Sequence, residues 1–292
     1  MSTVYLNGKY LPMEDACVSV MDRGFLFGDG VYEVIPAYGG RLFRLPHHLQ
    51  RLQDSLDGIR IANPLSDTEW EQVLNELLQQ NAATDGNKHD QSVYLQVTRG
   101  SAAKRDHSFP NPVTPTVYAF SVHIPAPDPD VTEQGIAAIT LDDIRWKYCN
   151  IKAITLLPNV LLRQEAADQG AVEALLIRDG RVIEGSASNV FVVRDGTILT
   201  PPKGTQMLPG ITRDLVLELA AQHNQPCREA DIEEAELRDA DEIWVTSSTK
   251  EIVPVTTLDG KPVGAGTPGP VWKTMIEQYR HYRDAVRSGE LN

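Results

Sequence analysis

The chain has 292 residues, with 27 lysines and arginines against 40 aspartates and glutamates, so its formal net charge is −13. Its length favours two domains, and its hydrophobic fraction of 41% is ordinary for a globular protein. The acidic balance argues against nucleic acids and anionic membrane surfaces as partners, because both would repel the chain. No apolar run approaches the roughly 18 residues of a membrane span, and residues 1–9 do not have the pattern of a signal peptide.

The cysteine pattern predicts a reducing compartment. Cys17, Cys149 and Cys227 are odd in number and widely spaced, which favours the cytoplasm over a disulfide framework. The chain has no CxxC pair, no HExxH helix and no EF-hand loop, so we expect no metal site.

The first half of the chain alternates strand patterns with amphipathic helix patterns, which predicts an α+β domain. The pairs Asn7-Gly8 and Gly39-Gly40 are typical of two-residue hairpin turns. In chain order, the expected elements are strands at 4–6, 9–11, 30–38 and 41–45, a helix opened by Pro46, a helix at 68–81, and strands at 92–98 and 116–122.

A proline-rich stretch separates the two halves. Pro125, Pro127 and Pro129 disfavour a helix and remove backbone donors, so we predict an interdomain linker at residues 124–134. It would join an N-terminal domain, residues 1–123, to a C-terminal domain, residues 135–292. The elements expected in the second half are a strand at 135–146, a helix at 158–169, hairpin-like strands at 174–183 and 189–199, a helix at 212–223, a strand at 242–246 and a helix at 271–285.

Two ionisable residues of the second half are candidates for chemistry. Lys152 precedes an apolar stretch, residues 153–157, that would desolvate its amine, lower its pKa and free it as a nucleophile. Glu184 ends a predicted strand and enters a turn rich in glycine and serine, where a buried cation such as a protonated pyridine nitrogen would need it. The ordinary alternatives are a surface lysine and a solvated turn glutamate.

Two segments could bind anions. Residues 208–214 lead into a predicted helix, so the N–H groups of Gly210, Ile211 and Thr212 would face an anion with help from the helix dipole. Residues 245–250 follow a predicted strand and add several hydroxyl groups. Alternatively, Thr212 is only the N-cap of the helix. Together, the two segments suit a phosphate and a carboxylate.

Residues 100–107 form a loop between two predicted strands and carry a local group of basic side chains in an otherwise acidic chain. Arg105 and His107 are two residues apart and could converge on one anion, because arginine grips a carboxylate through two hydrogen bonds. Arg51, on the helix that Pro46 opens, is another candidate. For each arginine, the alternative is an ordinary surface ion pair.

A reactive lysine, a buried carboxylate and a phosphate cradle together describe pyridoxal 5′-phosphate (PLP) chemistry. The chain also resembles a known family, the class IV aminotransferases, which are PLP enzymes of fold type IV. The resemblance is carried by residues 22–33 (DRGFLFGDGVYE), 48–52 (HLQRL), 143–152 (DIRWKYCNIK), 184–189 (EGSASN), 210–213 (GITR) and 245–249 (VTSST). It implies a smaller N-terminal α+β sandwich and a larger C-terminal α/β pseudo-barrel domain that binds PLP.

The resemblance implies a role for each matching position. Lys152 matches the lysine that forms the Schiff base with PLP and moves the proton between substrate and cofactor. Glu184 matches the carboxylate at the pyridine nitrogen, and Arg51 matches the phosphate-binding arginine. The other implied contacts with PLP are Leu208, Ile211, Thr212, Ser247 and Ser248.

Within the family, the chain is most similar to transaminases that move an amino group between D-amino acids, of the D-alanine and D-glutamate type, and 2-oxo acids. That similarity implies that Arg105 and His107 reach across a homodimer interface and bind, with Tyr32, the substrate α-carboxylate. The side on which the carboxylate is held decides which enantiomer presents its Cα–H to Lys152. The implied substrate contacts also include Ser186, Ala187 and Thr249.

Two departures from the family pattern bear on substrate preference. Ala187 stands where relatives often have serine, and Phe25-Leu26 replaces a more polar pair. Within the fold, the alternative functions are a branched-chain L-amino-acid aminotransferase, an (R)-amine transaminase and a 4-amino-4-deoxychorismate lyase. Outside it, they are a phosphate-binding regulatory protein and a serine hydrolase built on Ser186, although residues 184–189 lack the GxSxG elbow.

Overall fold

The computed structural model describes residues 2–82 and 90–291. Packing divides the chain into two units. The first contains the chain up to Pro125, the short segment Ile151–Thr155 and the residues from Arg283 onward, and the second contains Ala126–Asn150 and Leu156–Tyr282. The sequence-based boundaries of the two domains and of the linker between them remain a prediction.

The first unit is built on an antiparallel sheet. In the described part of the chain its strands are β1 (Thr3–Leu6), β2 (Lys9–Pro12), β3 (Gly30–Tyr38), β4 (Arg41–Leu42), β5 (Gln91–Thr98) and β6 (Thr116–His123), and its helices are α1 (Arg23–Phe27), α2 (Leu45–Gly58) and α3 (Asp67–Gln80). The strand order is β2-β1-β6-β5-β3-β4. The strand β3 therefore pairs with β5 along one side, and with β4 only near its end.

The helices α2 and α3 pack against this sheet and form the core with it. Apolar side chains recur every three or four residues on both helices, so each helix presents one apolar stripe to the sheet. Val31 and Ile35 of β3 belong to the same core. The buried members of the two stripes include Leu49, Leu52 and Leu56 on α2 and Trp70, Leu74 and Leu77 on α3.

The second unit is organised around another sheet. Its described strands are β7 (Ile136–Asp142), β8 (Glu173–Arg178), β9 (Arg181–Gly185), β10 (Asn189–Arg194), β11 (Thr197–Thr200), β12 (Cys227–Glu229), β13 (Glu242–Ser247), β14 (Glu251–Leu258) and β15 (Lys261–Pro262), and its helices are α4 (Pro129–Gln134), α5 (Leu157–Asp168), α6 (Ile211–Gln222), α7 (Glu234–Arg238) and the greater part of α8 (Pro270–Ser288). The strand order is β12-β11-β10-β13-β14-β7-β8-β9, and β15 pairs with β14. Within the described residues, we find no helix with the length and apolar character needed to cross a bilayer.

Both faces of β8 are covered by apolar side chains. Leu175 and Ile177 join one apolar cluster of the second unit. Ala174 and Leu176 point to the other face and join a cluster that includes Leu162 of α5. Because both faces are buried, the sequence of this strand is a nearly continuous apolar run and does not alternate between apolar and polar residues.

The two segments predicted as hairpin-like strands each form a hairpin of two strands. The segment 174–183 is divided into β8 and β9, and the segment 189–199 into β10 and β11. The chain reverses at Asp179-Gly180 and at Asp195-Gly196, and all four residues have positive φ. This conformation is typical of two-residue hairpin turns, and aspartate and glycine adopt it more readily than most residues. The sequence pattern did not place these two turns, because apolar residues continue on both sides of each turn.

Two further predicted strands end early, and some elements were missed. The strand expected at 41–45 ends at Leu42, and the strand expected at 135–146 ends at Asp142. The missed elements are α1, α4, α7, β12, β14 and β15. Pro254 lies within β14, opposite Trp244 of β13, although proline is rare in central strands. It is tolerated there because the ladder with β7 begins only at Val255.

Replacement of the fully buried Leu74 by alanine should lower the free energy of unfolding by about 2–5 kcal/mol, because a cavity replaces packed methyl groups. The matched control is Gln72→Ala on the exposed face of the same helix, which should change it by less than about 0.5 kcal/mol. Urea unfolding followed by circular dichroism measures both values. Equal effects of the two substitutions would contradict the assignment of the buried stripe.

Candidate active site

Lys152 lies beside the first residues of β3. The Tyr32 N–H donates to the Lys152 carbonyl oxygen over 3.0 Å, and the Ile154 N–H donates to the Gly30 carbonyl oxygen over 3.1 Å. The Lys152 N–H donates to the Ser55 hydroxyl of α2 over 3.1 Å. The segment around the lysine therefore pairs with β3 where β4 does not reach, and this pairing fixes the position of Lys152.

The amine of Lys152 lies against an aromatic ring. Its Nζ atom is 4.2 Å from the centre of the Tyr32 ring, which stacks on the Tyr94 ring with 5.6 Å between the centres. An ammonium group at this distance interacts favourably with the ring face and gives up part of its hydration. Two of the predicted site residues, Tyr32 and Lys152, are thus direct neighbours.

Arg51 binds a buried carboxylate on the opposite face of β3. Its Nε and Nη2 atoms donate to the two carboxylate oxygens of Glu33 over 2.7 and 2.8 Å. His48 Nδ1 also lies 2.8 Å from Glu33 Oε2. Burial alone would raise the pKa of Glu33, but Arg51 and His48 hold it well below its usual range. The two-point contact sets the orientation of the guanidinium that the sequence assigns to a phosphate.

Arg105 and His107 lie on the loop between β5 and β6, and both are exposed. The guanidinium carbon of Arg105 is 4.7 Å from the centre of the Phe27 ring. The centre of the His107 ring is 5.3 Å from the centre of the same Phe27 ring. The structure thus brings the two predicted carboxylate-binding side chains together beside one aromatic ring, with solvent access to both.

In the second unit, Glu184 lies at the end of β9 with its carboxylate buried. Its Oε1 atom accepts a hydrogen bond from Arg145, and its Oε2 atom accepts from the Asn189 amide and the Leu208 N–H, each over 3.1 Å. Arg145 also donates to both oxygens of Asp143 over 2.9 Å. The predicted residues Glu184 and Leu208 are therefore in contact through the Leu208 backbone.

The carboxyl group of Glu184 has an unusual electrostatic environment. Burial raises its pKa to about 7, although the Arg145 guanidinium opposes part of the rise. Arg145 is shared with Asp143, which also binds Arg178 over 2.8 Å. A further cation, such as a protonated ring nitrogen, would therefore be stabilised beside Glu184 and would keep its carboxylate ionised.

The turn after β9 carries Ser186 and Ala187. The Ser186 hydroxyl donates to the buried carboxylate of Glu173, to which the Ser188 hydroxyl donates over 2.8 Å. Ser186 is only 1% exposed, whereas Ala187 is exposed. A serine nucleophile needs an accessible hydroxyl beside a general base. This buried hydroxyl, held by a carboxylate that shapes the turn, does not support the serine hydrolase alternative.

The N-terminus of α6 offers backbone N–H donors. Gly210 is its N-cap and no side chain caps it, so Thr212 lies inside the helix and its interpretation as the N-cap is wrong. A Cβ atom on Gly210 would collide with the side chain of Asn189. Asn189 is opposite Thr246 in the ladder between β10 and β13. The start of α6 therefore lies close to the end of β13.

The end of β13 adds hydroxyl groups at the same edge of the sheet. Ser247 pairs with Glu251, so Ser248, Thr249 and Lys250 form the turn of the hairpin between β13 and β14. Among the described residues, no partner is found for the buried hydroxyl of Thr246. Backbone N–H groups at a helix start and nearby hydroxyls are the donors that bind phosphate. This arrangement suits the predicted contacts Ile211, Thr212, Ser247 and Ser248.

Sequence reasoning missed the acidic and amide groups that hold the predicted residues in place. Glu33 was visible as a charge within the apolar pattern of β3, which by itself signals a buried pair. Glu173, Asp143 and Asn189 had no such signal, because their partners lie on other elements of the fold.

Comparison with known proteins agrees with the resemblance. A family profile described as amino-transferase class IV matches residues 30–258. The D-alanine aminotransferase of Bacillus licheniformis is 42% identical over 272 residues, which cover 93% of this chain and 94% of the relative. The solved branched-chain amino acid aminotransferase of Escherichia coli has a TM-score of 0.89 and 28% identity, over 96% of this chain and 94% of that chain. A solved hypothetical aminotransferase of Mycobacterium tuberculosis, in its PLP-bound form, has a TM-score of 0.84 and 26% identity, over 99% of this chain and 100% of that chain.

The chain belongs to the class IV aminotransferases. This result confirms the predicted α+β fold of type IV, and it confirms PLP as the cofactor. In the second unit, the Glu184 carboxylate can accept a hydrogen bond from a protonated ring nitrogen of PLP, and the N–H groups at the start of α6 can donate to its phosphate. In the first unit, the Lys152 amine suits its aldehyde.

The pKa of Glu184 predicts a pH-dependent stability of the cofactor-free protein. A carboxyl group whose pKa is about 7 when folded and about 4.5 when unfolded stabilises the protein at low pH, and this stabilisation is lost as the pH rises through that window. The free energy of unfolding of the wild type, relative to Glu184→Gln, should therefore fall between about pH 5 and pH 8 in urea titrations.

The control for this measurement is Glu165→Gln, which removes an exposed carboxylate of α5. Its difference from the wild type should change little over the same window. A constant or increasing difference for Glu184→Gln would contradict the raised pKa.

Proposed function

We propose that this protein is a PLP-dependent transaminase that moves the amino group between D-amino acids, of the D-alanine or D-glutamate type, and 2-oxo acids. The observation that carries this proposal is the exposed pair Arg105 and His107 beside the Phe27 ring. An arginine with a second donor suits an α-carboxylate. The 42% identity to a D-alanine aminotransferase supports the same substrate class.

The proposal gives the residues around the cofactor distinct tasks. PLP supplies an electron sink for the negative charge left when the substrate Cα–H is broken. Lys152 holds the cofactor through its amine, and it takes up and returns the proton at the substrate Cα. Glu184 keeps a proton on the ring nitrogen. The phosphate and the ring are held by Arg51, Leu208, Ile211, Thr212, Ser247 and Ser248.

Stereospecificity follows from the side on which the substrate carboxylate is held. Tyr32, Arg105 and His107 bind the carboxylate, and Lys152 approaches the Cα from one face only, so one enantiomer presents its Cα–H to the amine. We assign the remaining substrate contacts to Ser186, Ala187 and Thr249. Ser186 would act through its backbone, because its hydroxyl already donates to Glu173.

We also propose a cytoplasmic homodimer in which the loop between β5 and β6 binds the carboxylate in the partner's site. The first turns of α5 leave three neighbouring apolar side chains in water, with Leu157 68%, Val160 58% and Leu161 54% exposed. Contiguous exposed apolar side chains mark surfaces that another protein covers. The three free cysteines suit a reducing cytoplasm. Sedimentation equilibrium tests the dimer, and a monomer at micromolar concentration would contradict it.

Lys152→Ala should abolish the covalent attachment of PLP. Borohydride reduction of the wild type should fix the cofactor on the peptide that contains Lys152, as mass spectrometry of a digest would detect. The matched control is Lys147→Ala, which removes an exposed lysine of the same segment and should keep the adduct. A fixed adduct in Lys152→Ala would overturn the assignment of this lysine.

The substrate class is tested with paired enantiomers. The PLP-loaded protein should transfer the amino group of D-alanine and D-glutamate to 2-oxo acids, and it should not accept L-leucine. Preferential transfer from L-leucine would instead favour a branched-chain enzyme, the activity named for the solved Escherichia coli structure at 28% identity.

Arg105→Ala should raise the KM for D-alanine by about 10- to 100-fold, because a hydrogen bond between two charged groups contributes about 1.5–3 kcal/mol. The fraction of PLP fixed by borohydride should not change. Lys104→Ala, which removes a neighbouring side chain that is 81% exposed, is the control and should leave the KM within about twofold. An unchanged KM in Arg105→Ala would exclude the proposed carboxylate contact.

A further inference from the structure

A buried arginine of α1 holds the loop between β5 and β6 through its backbone. Arg23 Nη1 donates to the Asp106 carbonyl oxygen over 2.6 Å, and its two terminal nitrogens contact the carbonyl oxygens of His107 and Ser108, each at 3.4 Å. Because Arg23 bonds to carbonyl groups, it sets the path of the loop without occupying its exposed side chains.

A second buried arginine, Arg99, contacts the ring of Phe109 in the same loop. The guanidinium carbon of Arg99 is 3.7 Å from the centre of the Phe109 ring, and that of Arg60 is 4.7 Å from it. Arg99 also donates to the carbonyl oxygens of Ile59 and Arg60 over 2.6 and 3.2 Å. Phe109 is 46% exposed, and the two guanidinium groups contact its ring within the range of cation–π interactions.

One carboxylate joins the two arginines. Asp29 Oδ2 accepts from Arg23 Nε over 2.7 Å and from Arg99 Nε over 2.8 Å, and its Oδ1 accepts from Arg99 Nη2 over 2.9 Å. The side chains of the two arginines are each only 5% exposed, and the side chain of Asp29 is 13% exposed. Two like charges held together away from water repel each other, so this arrangement depends on the anion between them.

We infer that Asp29 is a positioning residue for substrate binding. Through Arg23 it holds the backbone of residues 106–108, and through Arg99 it holds the Phe109 ring, so that the loop keeps the conformation that binds the α-carboxylate. The inference rests on the proposed function, in which this loop supplies Arg105 and His107. A loop held in its binding conformation loses less conformational entropy when the substrate binds. Loss of Asp29 should therefore weaken substrate binding and leave the chemistry at Lys152 largely intact.

The test is Asp29→Asn in the PLP-loaded protein. Asparagine keeps the shape of the side chain, but it removes the charge and one acceptor shared by the two arginines. We expect the KM for D-alanine to rise at least tenfold, with kcat within about threefold and the fraction of PLP fixed by borohydride unchanged. Hydrogen exchange followed by mass spectrometry should show faster exchange in residues 105–109.

The matched control is Asp259→Asn, which breaks another contact between aspartate and arginine, with Arg238 over 2.8 Å in the second unit. It should leave the KM unchanged. Phe109→Ala provides a second variant that does not disturb the buried charges. It removes a half-exposed ring from Arg99, and it should raise the KM about threefold or more even if Asp29→Asn does not fold.

The outcomes separate this inference from the proposed function. If Arg105→Ala raises the KM while Asp29→Asn and Phe109→Ala do not, the positioning role is wrong and the carboxylate contact stands. If none of the three raises it, the loop does not bind the substrate and both are wrong. If Asp29→Asn lowers kcat, raises the KM and lowers the PLP content together, while Phe109→Ala has no effect, Asp29 has a general structural role. That result would also overturn the inference.

Discussion

Side chains alternate between the two faces of β3, and this alternation keeps two different electrostatic environments one residue apart. Glu33 faces α2, where Arg51 and His48 bind its carboxylate away from water. Tyr32 faces the other way, under the amine of Lys152, and its N–H anchors the segment that carries this lysine. A shift of one residue in the register between β3 and β5 would exchange the two faces. The placement of the lysine therefore depends on that register.

The two units use buried carboxylates in opposite ways. Glu33 meets one arginine through both of its oxygens, and its pKa falls. Glu184 meets Arg145 through one oxygen only, Arg145 is shared with Asp143, and burial raises the pKa of Glu184. The first carboxylate is satisfied within the protein and orients Arg51. Arg145 offsets only part of the effect of burial on Glu184, which suits a residue that serves a cationic ring nitrogen. Glu33 thus fixes the guanidinium of Arg51, the group that we assign to the cofactor phosphate.

The sequence predicted the elements whose patterns are long and regular. The helices α2 and α3 and the strands β3 and β5 are present within about two residues of their expected bounds, because amphipathic periodicity depends only on local geometry. The segments 174–183 and 189–199 were predicted as hairpin-like strands, but the turns between β8 and β9 and between β10 and β11 were not placed, because the apolar residues continue on both sides of each turn. The candidate residues come from contiguous motifs. Their supporting partners were not found, since Glu173 and Ser186 are brought together by the pairing of β8 with β9.

The sequence by itself determined the family, the cofactor and the residues that could carry the chemistry, because these depend on residue types at short, fixed spacings. Only the tertiary structure decided which charges pair. It placed Lys152 beside β3, it brought the Ser186 hydroxyl within hydrogen-bond reach of Glu173, and it brought Arg23 and Arg99, 76 positions apart, together at Asp29. The physical reason is that a buried charge is stabilised by whichever opposite charge the packing of distant strands and helices brings within about 3 Å, and chain spacing does not encode that neighbour.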